Sequence, residues 1–265
     1  MYLDYWKLSK RPFENTPDPD FFYFSPDHKE AYIRFKYAIT QNKGAFLMTG
    51  EYGCGKTTLI RLLVRELDFE KFQVVLMNNP RGSVTELLQK LVMELRNDNT
   101  PAPVVNSVDN FEQLIGEHLF NNHSKGKSTL LIVDEAQLIQ DDSVLEEIRL
   151  LLNFQLDDGF LINLFLVGQP ELRNRLDSFP QLEQRLFCKY HLTNLNLDNT
   201  TSYINHRMTI SGAEMQIFTD DAINEIFNIS RGTPRRVNNI CDLALLFGAH
   251  HSVGQIDSKI IKAAI

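Results

Sequence analysis

The sequence has 265 residues, a formal net charge of -7, and a composition 43% hydrophobic and 23% charged. That is enough chain for one large domain, or for a domain and a smaller companion. The acidic balance speaks against a broadly basic nucleic-acid surface. The three scattered cysteines, Cys54, Cys188 and Cys241, speak against a disulfide framework or a zinc site and fit a reducing cytoplasm. Metal-ligand spacing is not offered by the histidines either: His118 and His123 are off helical register, and His250 and His251 point to different sides of a helix. There is no run of 18 apolar residues, so no membrane span is expected, and the N-terminus does not read as a signal peptide.

Residues 1–26 are rich in aromatics and proline, "RPFENTPDPDFFYFSP" among them. X-Pro bonds favour extended chain, so an aromatic strap lying on the main domain is expected. Ser25-Pro26-Asp27 is a helix start, with a serine cap and proline at the first helical position. Ala31, Tyr32, Phe35, Ala38 and Ile39 follow at helical spacing.

Apolar runs and helical patterns then alternate. "AFLMT" (45–49) predicts a buried strand, and Leu59, Leu62, Leu63 and Leu67 a helix. "FQVVLM" (72–77) predicts a strand. Ser83 with Glu86 forms a capping-box signal for the helix carrying Leu87, Leu88, Leu91 and Leu95. A loop is expected over "NDNTPAPVVNSVDN", then a helix around 109–122 and the strand "STLLIVDE" (128–135). Ser143 and Glu146 repeat the capping-box spacing before another helix, and "FLINLFLVG" (160–168) is another buried strand. Such alternation predicts an α/β fold, a doubly wound parallel sheet covered on both faces. Beyond about residue 195 only helical patterns occur, with the last helix starting near Asp257. The expected organisation is therefore the strap (1–26), an α/β nucleotide-binding domain (27–194) and a small helical domain (195–265).

"GEYGCGKTT" matches G-x-x-x-x-G-K-[ST] at Gly50, Gly55, Lys56 and Thr57, between a predicted strand and a predicted helix. The glycines of Gly50-Glu51-Tyr52-Gly53-Cys54-Gly55 let backbone N–H groups approach phosphate oxygens, and the helix beginning here adds its positive end. Lys56 can reach the β- and γ-phosphates, the Thr57 hydroxyl can ligate Mg2+, and Thr58 is expected with residues 50–57 to bind the nucleotide. Cys54 reads as a spacer inside the loop rather than a nucleophile. "LLIVDEAQ" brings Asp134 and Glu135 to the carboxyl edge of the sheet. There Asp134 could hold Mg2+ through water and Glu135 polarise an attacking water; a solvated acidic turn is the bland alternative. Gln169, just past a buried strand, could sense a γ-phosphate or position water, or simply start a helix in a Gln-Pro turn. Arg185, near the end of a helix, could face a neighbouring subunit's nucleotide or lie on the surface. In "SRGTPRRVNN", Arg235 could reach back to phosphates; Arg235 and Arg236 could equally lie in solvent.

Taken together these motifs resemble an AAA+ ATPase, a P-loop core followed by an α-helical lid. The resemblance implies that Lys56 and Thr57 belong to Walker A, Asp134 and Glu135 to Walker B, Gln169 to sensor 1, Arg185 to the arginine-finger box and Arg235 to sensor 2. It puts Asn78 where the family carries a polar residue that can restrain the catalytic glutamate. Within the family, "PFENTPDPDFFYFSPDHKEA", "MNNP", "VDEAQ", "VGQPEL" and "RGTPRRVNN" are similar to the ExeA/GspA-like secretion ATPases, with pilus-biogenesis and exosortase-associated relatives. That likeness implies ATP and Mg2+ as ligands, self-association as a ring of six, and secretion or pilus assembly proteins at the inner membrane as partners. Adenine is expected against the strap and the following helix, near Phe13 and His28, and the lack of N-K-x-D favours adenine over guanine. The secretion relatives continue into a membrane segment and a periplasmic domain, whereas this sequence stops after the lid. The expected location is thus the cytoplasm, or the periphery of the inner membrane through a partner or a further C-terminal segment. A competing reading is a DNA-associated ATPase of the transposition-regulator or helicase-loader kind, with Lys125 and Lys127 as a local basic candidate. A third is a nucleotide-dependent scaffold with little turnover.

Overall fold

The structure, a computed structural model, describes residues 2–16, 18–96, 107–157 and 159–265. Most of the loop expected over 97–110 lies outside them. In chain order the elements are α1 (Tyr2–Trp6), α2 (Pro26–Thr40), β1 (Ala45–Gly50), α3 (Lys56–Arg65), β2 (Phe72–Asn78), α4 (Val84–Arg96), α5 (Val108–Ser124), β3 (Ser128–Asp134) and α6 (Asp142–Leu151). They continue with β4 (Gln155–Leu156), β5 (Gly159–Phe160), β6 (Ile162–Gly168), α7 (Pro170–Leu176), α8 (Pro180–Glu183), β7 (Leu186–Leu192), α9 (Leu197–Ile210), α10 (Asp220–Ser230), α11 (Pro234–His250) and α12 (Ser258–Ala264). The chain forms two compact units, one of 30–50 with 63–191 and one of 1–29, 51–62 and 192–265.

The first unit is built on a five-stranded sheet in the order β2-β3-β6-β1-β7. The pairs β2–β3, β3–β6 and β6–β1 are parallel. β1 and β6 are buried along their whole length, and β3 along all but its first residue. That is why these three read as unbroken apolar runs: a strand covered on both faces has no side left for polar residues. Among their buried polar residues is Asn163 in β6, which accepts from Gly44 N at 3.2 Å and donates to Asn42 Oδ1 at 2.8 Å. α4, α5 and α6 bring Leu88, Leu91, Phe111, Ile115, Leu145 and Ile148 into one core with Leu131 and Leu164. Residues 155–156 and 159–160 form a small antiparallel hairpin absent from the sequence expectations.

β7 is an edge strand whose residues alternate between half-buried and exposed. Its sequence, Leu186–Leu192, carries no apolar run, because an edge strand meets the core on one side only. The capping signals divide. Ser83 and Glu86 form the reciprocal pair, with Ser83 N donating to Glu86 Oε2 at 2.8 Å and Glu86 N to Ser83 Oγ at 3.4 Å. Ser143 does not cap α6: Asp141 takes that place and accepts from Ser143 N at 2.8 Å. A carboxylate is favoured at the positive end of a helix, and with α6 beginning at Asp142 the capping position falls on Asp141.

In the second unit α1 and the following strap share one hydrophobic core with α9–α12, including Trp6, Leu8, Phe13, Ile204, Phe218 and Leu245. The strap is not wholly extended, since it contains α1 and a 3-10 turn at Pro19–Phe21. Trp6 Nε1 donates to the Leu245 carbonyl at 2.9 Å. Arg207 of α9, 7% exposed, donates to the carbonyls of Pro12 and Glu14 and to Tyr203 Oη, and lies 5.0 Å from the Phe21 ring centroid. A buried guanidinium whose hydrogens meet carbonyls and a hydroxyl fastens the strap along several bonds at once.

Glu147 of α6 is 6% exposed, and its Oε1 has no hydrogen-bond partner among the described residues. Burial, and then the neighbouring Glu112 carboxyl of α5, push it up to about 7 from an ordinary 4.5. The folded state therefore holds a proton that the unfolded chain has released between those two values. Its stability contribution is present below pH 4.5 and is lost as pH rises through 7. Glu147→Gln is expected to raise the melting temperature by a few degrees at pH 8, at roughly 2–4 °C per kcal/mol, with the gap narrowing at pH 5. Thermal unfolding of both proteins at the two pH values checks this; an equal gap at both would refute it.

Candidate phosphate loop and acidic strand edge

β1 ends at Gly50, and the chain turns through residues 51–55 into α3, whose first residue is Lys56. Gly53 and Gly55 adopt φ of 83° and 107°, the left-handed region that only glycine enters freely. Lys56 is 6% exposed and donates from Nζ to the Glu51 carbonyl at 3.0 Å. Cys54 N also donates to Glu51 O, at 3.3 Å, so this one carbonyl gathers the loop. Thr57 and Thr58 follow in the first turn of α3, half-buried. Cys54 is fully buried and its thiol is pushed up by that burial, which suits a spacer and not a nucleophile.

Arg235, in the first turn of α11, meets this loop. Its backbone N donates to Gly53 O at 3.3 Å, its guanidinium donates to Tyr52 Oη, and its Cζ lies 4.9 Å from the Tyr52 ring centroid. Glu51, Tyr52, Asn194, Arg231, Thr233, Arg235, Arg236 and Asn239 line an open cleft of ≈520 Å³. Three arginines against one acid, Glu51, give the cleft a cationic balance suited to an anion. His28 lies under the loop, 3% exposed, with its Nε2 3.0 Å from Cys54 O. Neither Phe13 nor His28 offers a free ring to a base: Phe13 is 2% exposed and packs edge-on against Phe218 at 6.0 Å.

The acidic pair sits in the sheet unit. Parallel pairing brings Asn78 of β2, Asp134 of β3, Gly168 of β6 and Gly50 of β1 to the same carboxyl edge, with Asn78 in register with Asp134 and Gly168 with Thr49. Asp134 is 4% exposed, and its Oδ1 accepts from Glu135 N at 2.9 Å. Glu135 has φ 57° and ψ 36°, a left-handed conformation that costs a non-glycine residue about 1–2 kcal/mol. A strained, half-buried glutamate at a strand end is the kind of residue that function retains.

Gln137 explains how that glutamate is held. Its Nε2 donates to Glu135 Oε2, while its Oε1 accepts from Gln169 N at 3.0 Å. The backbone donor fixes which end of the amide is oxygen, and so directs the NH2 group at Glu135. Gly168 leaves room for this: a Cβ there would lie 2.7 Å from Gln137 Oε1. Among the described residues, the side chain hydrogen-bonded to the Glu135 carboxylate is that of Gln137, while Asn78 is exposed at the end of β2. The sequence reading passed over Gln137, although "VDEAQ" displayed it. The offset of two residues gives no periodic signal, because the intervening 3-10 turn (Ala136–Leu138) determines where it points.

Gln169 starts α7 without a side-chain cap, so its backbone and not its side chain makes the observed contact. Arg185 follows α8 and precedes β7, half-buried. Among the described residues no group of three or more His, Cys, Asp or Glu could cage a metal ion. Thr57, in the first turn of α3, and Asp134, at the end of β3, each carry oxygen of the hard type that Mg2+ takes.

Comparison with known proteins agrees with this arrangement. The chain is 35% identical over 248 residues to the general secretion pathway protein A of Aeromonas hydrophila, covering 93% of this chain and 44% of that protein. It thus spans less than half of that relative's length. Among solved structures, the Aeropyrum pernix ORC2 protein in its ADPNP-ADP complexes is similar with a TM-score of 0.69 at 16% identity, over 97% of this chain and 71% of that one. The Thermotoga maritima RuvB Holliday junction branch migration motor gives 0.58 at 18% identity, over 89% and 68%. At such identities these two show a shared fold. The family model described as an AAA domain matches residues 39–176, more than half of the sequence. With that match spanning the loop, the acidic strand end and Gln169, the chain belongs to the AAA domain family.

Proposed function

We propose that the chain binds ATP with Mg2+ and hydrolyses it as a ring, to drive or regulate assembly of a secretion or pilus apparatus. The observation that carries the ATP reading is the loop itself: two left-handed glycines, a lysine at the first position of α3 and an arginine of α11 laid against the loop. In this reading the amides of residues 51–58 and Lys56 bind the phosphates, with Arg235 alongside. Thr57 and Asp134 would each offer an oxygen to Mg2+, whose charge would neutralise that of the phosphates. Glu135 orients and polarises the attacking water. Gln137 keeps Glu135 aimed and ties its position to the end of β6, where Gln169 is the proposed γ-phosphate sensor. Residues 195–265 act as the lid and residues 1–26 as its strap.

Arg185 is proposed to act in trans on the nucleotide of the next subunit, which makes hydrolysis depend on assembly. The secretion or pilus role is supported by the likeness to the Aeromonas hydrophila protein. It implies a partner at the inner membrane, met from the cytoplasmic side.

ATP turnover measured against protein concentration, with size by light scattering in the same samples, tests the ring. Turnover per chain is expected to rise as rings form. Arg185→Ala is expected to assemble yet lose about 10³-fold in turnover, the scale of an arginine supplied in trans. Flat turnover with an unaffected variant would place Arg185 outside the chemistry. Glu135→Gln is expected to bind ATP, hydrolyse it at least a hundredfold more slowly and accumulate as the assembled form. If it hydrolyses at the wild-type rate, Glu135 is not the base.

Gln137→Ala separates aim from binding. Its kcat is expected to fall about 10–100-fold, as a small misplacement of a reacting group does, with ADP affinity within twofold of wild type. Equal loss in kcat and in ADP affinity would show that Gln137 supports the fold and not the glutamate.

A further inference from the structure

We infer that His28 is a positioning residue for the phosphate loop, holding the Cys54 carbonyl so that the Gly55 amide points into the hollow of the loop. The inference rests on the ATP reading above and gives His28 a role other than the adenine contact expected from the sequence.

The geometry is closed on every side. His28 Nε2 is 3.0 Å from Cys54 O, and its Nδ1 is 2.6 Å from Ser25 Oγ. A carbonyl can only accept, so Nε2 carries the hydrogen; in the neutral ring Nδ1 then accepts from the Ser25 hydroxyl. Burial disfavours the charged ring and lowers its proton affinity, which keeps this tautomer in place. His28 N donates back to Ser25 Oγ at 3.3 Å, and the Phe22 ring stands edge-on to the imidazole at 5.3 Å. The ring is thereby fixed before it meets the loop.

The consequence follows from the peptide bond. In a planar trans peptide the C=O of Cys54 and the N–H of Gly55 point in opposite directions. With the carbonyl pinned outward on His28, the Gly55 N–H faces the other way, toward the space that the loop encloses. Gly55 is bound to this arrangement twice over. Its φ of 107° admits no ordinary side chain, and a Cβ would lie 2.8 Å from His28 Nε2. Ser25, Pro26 and His28 thus do more than start α2. The start of the helix delivers an imidazole that sets the direction of one phosphate donor. Both ring nitrogens are engaged and the ring is 3% exposed, so it does not present itself to a nucleoside base.

The test uses the full chain and two probes, ADP and inorganic pyrophosphate, whose dissociation constants are measured by calorimetry for wild type, His28→Ala, His28→Asn and His28→Gln. Pyrophosphate carries no base, so it reads the loop alone. His28→Ala is expected to weaken both probes by the same factor, about tenfold, the scale of one hydrogen bond to a charged group. The glutamine amide reaches as far as Nε2 of histidine, so His28→Gln is expected to return within about threefold of wild type. Asparagine is too short, and His28→Asn should match alanine; this pair keeps the test sharp if alanine does not fold. In turnover, the ATP KM should rise with kcat little changed, because the amide binds ground and transition states alike. Weakening of ADP with pyrophosphate unaffected would make His28 a base contact and overturn the inference. So would equal affinities in all four proteins, or equal losses with glutamine and asparagine. A wild type that binds neither probe overturns the ATP reading and the inference together, and is distinguished by needing no variant.

Discussion

The parallel hydrogen-bond ladder joining β1, β6 and β3 is the constraint on which the sheet unit depends. Parallel register leaves no choice about where strands end. Gly50, Gly168 and Asp134 terminate three neighbouring strands at one edge. The ladder requires both faces to be covered, which is why its strands are spelled almost wholly in apolar residues. Polar groups are thereby pushed out to the carboxyl edge, where turns must satisfy them. Glu135 N on Asp134 and Gln169 N on Gln137 are the result.

The same accounting governs the loop after β1. A chain that turns its amides toward a ligand must dispose of the carbonyls between them, since each peptide has two ends. Here the Glu51 carbonyl takes Cys54 N and Lys56 Nζ, the Gly53 carbonyl takes Arg235 N, and the Cys54 carbonyl takes His28. The loop is therefore not held by its own glycines. Glycine permits the conformation, and the partners of the carbonyls select it. Arg207 plays a comparable part under the strap, where its guanidinium meets the carbonyls of Pro12 and Glu14 that a proline-rich segment cannot pair with itself.

Where local chemistry decides, the sequence was legible. Ser25-Pro26 begins α2, Ser83 and Glu86 close their reciprocal cap, and the apolar runs of β1, β3 and β6 stand where they were expected. Where two local signals compete, it was not. Ser143 was expected to cap α6, but the helix starts at Asp142 and Asp141 accepts from the Ser143 N–H. β7 was missed because an edge strand has one wet side, and α1 because five residues are too few to show a period.

The sequence by itself determined the α/β core, the glycine loop and the acids at the end of β3, because each follows from residue type at fixed spacing along one strand, turn or helix. Tertiary structure alone decided which groups hold these in place. Gln137 reaches Glu135 only through a 3-10 turn and a backbone donor 32 positions away, and His28 reaches Cys54 O across 26 positions. Spacing in the chain carries no information about such pairs, since a hydrogen bond between distant residues is determined by where packing leaves their backbones and not by the pattern of either segment.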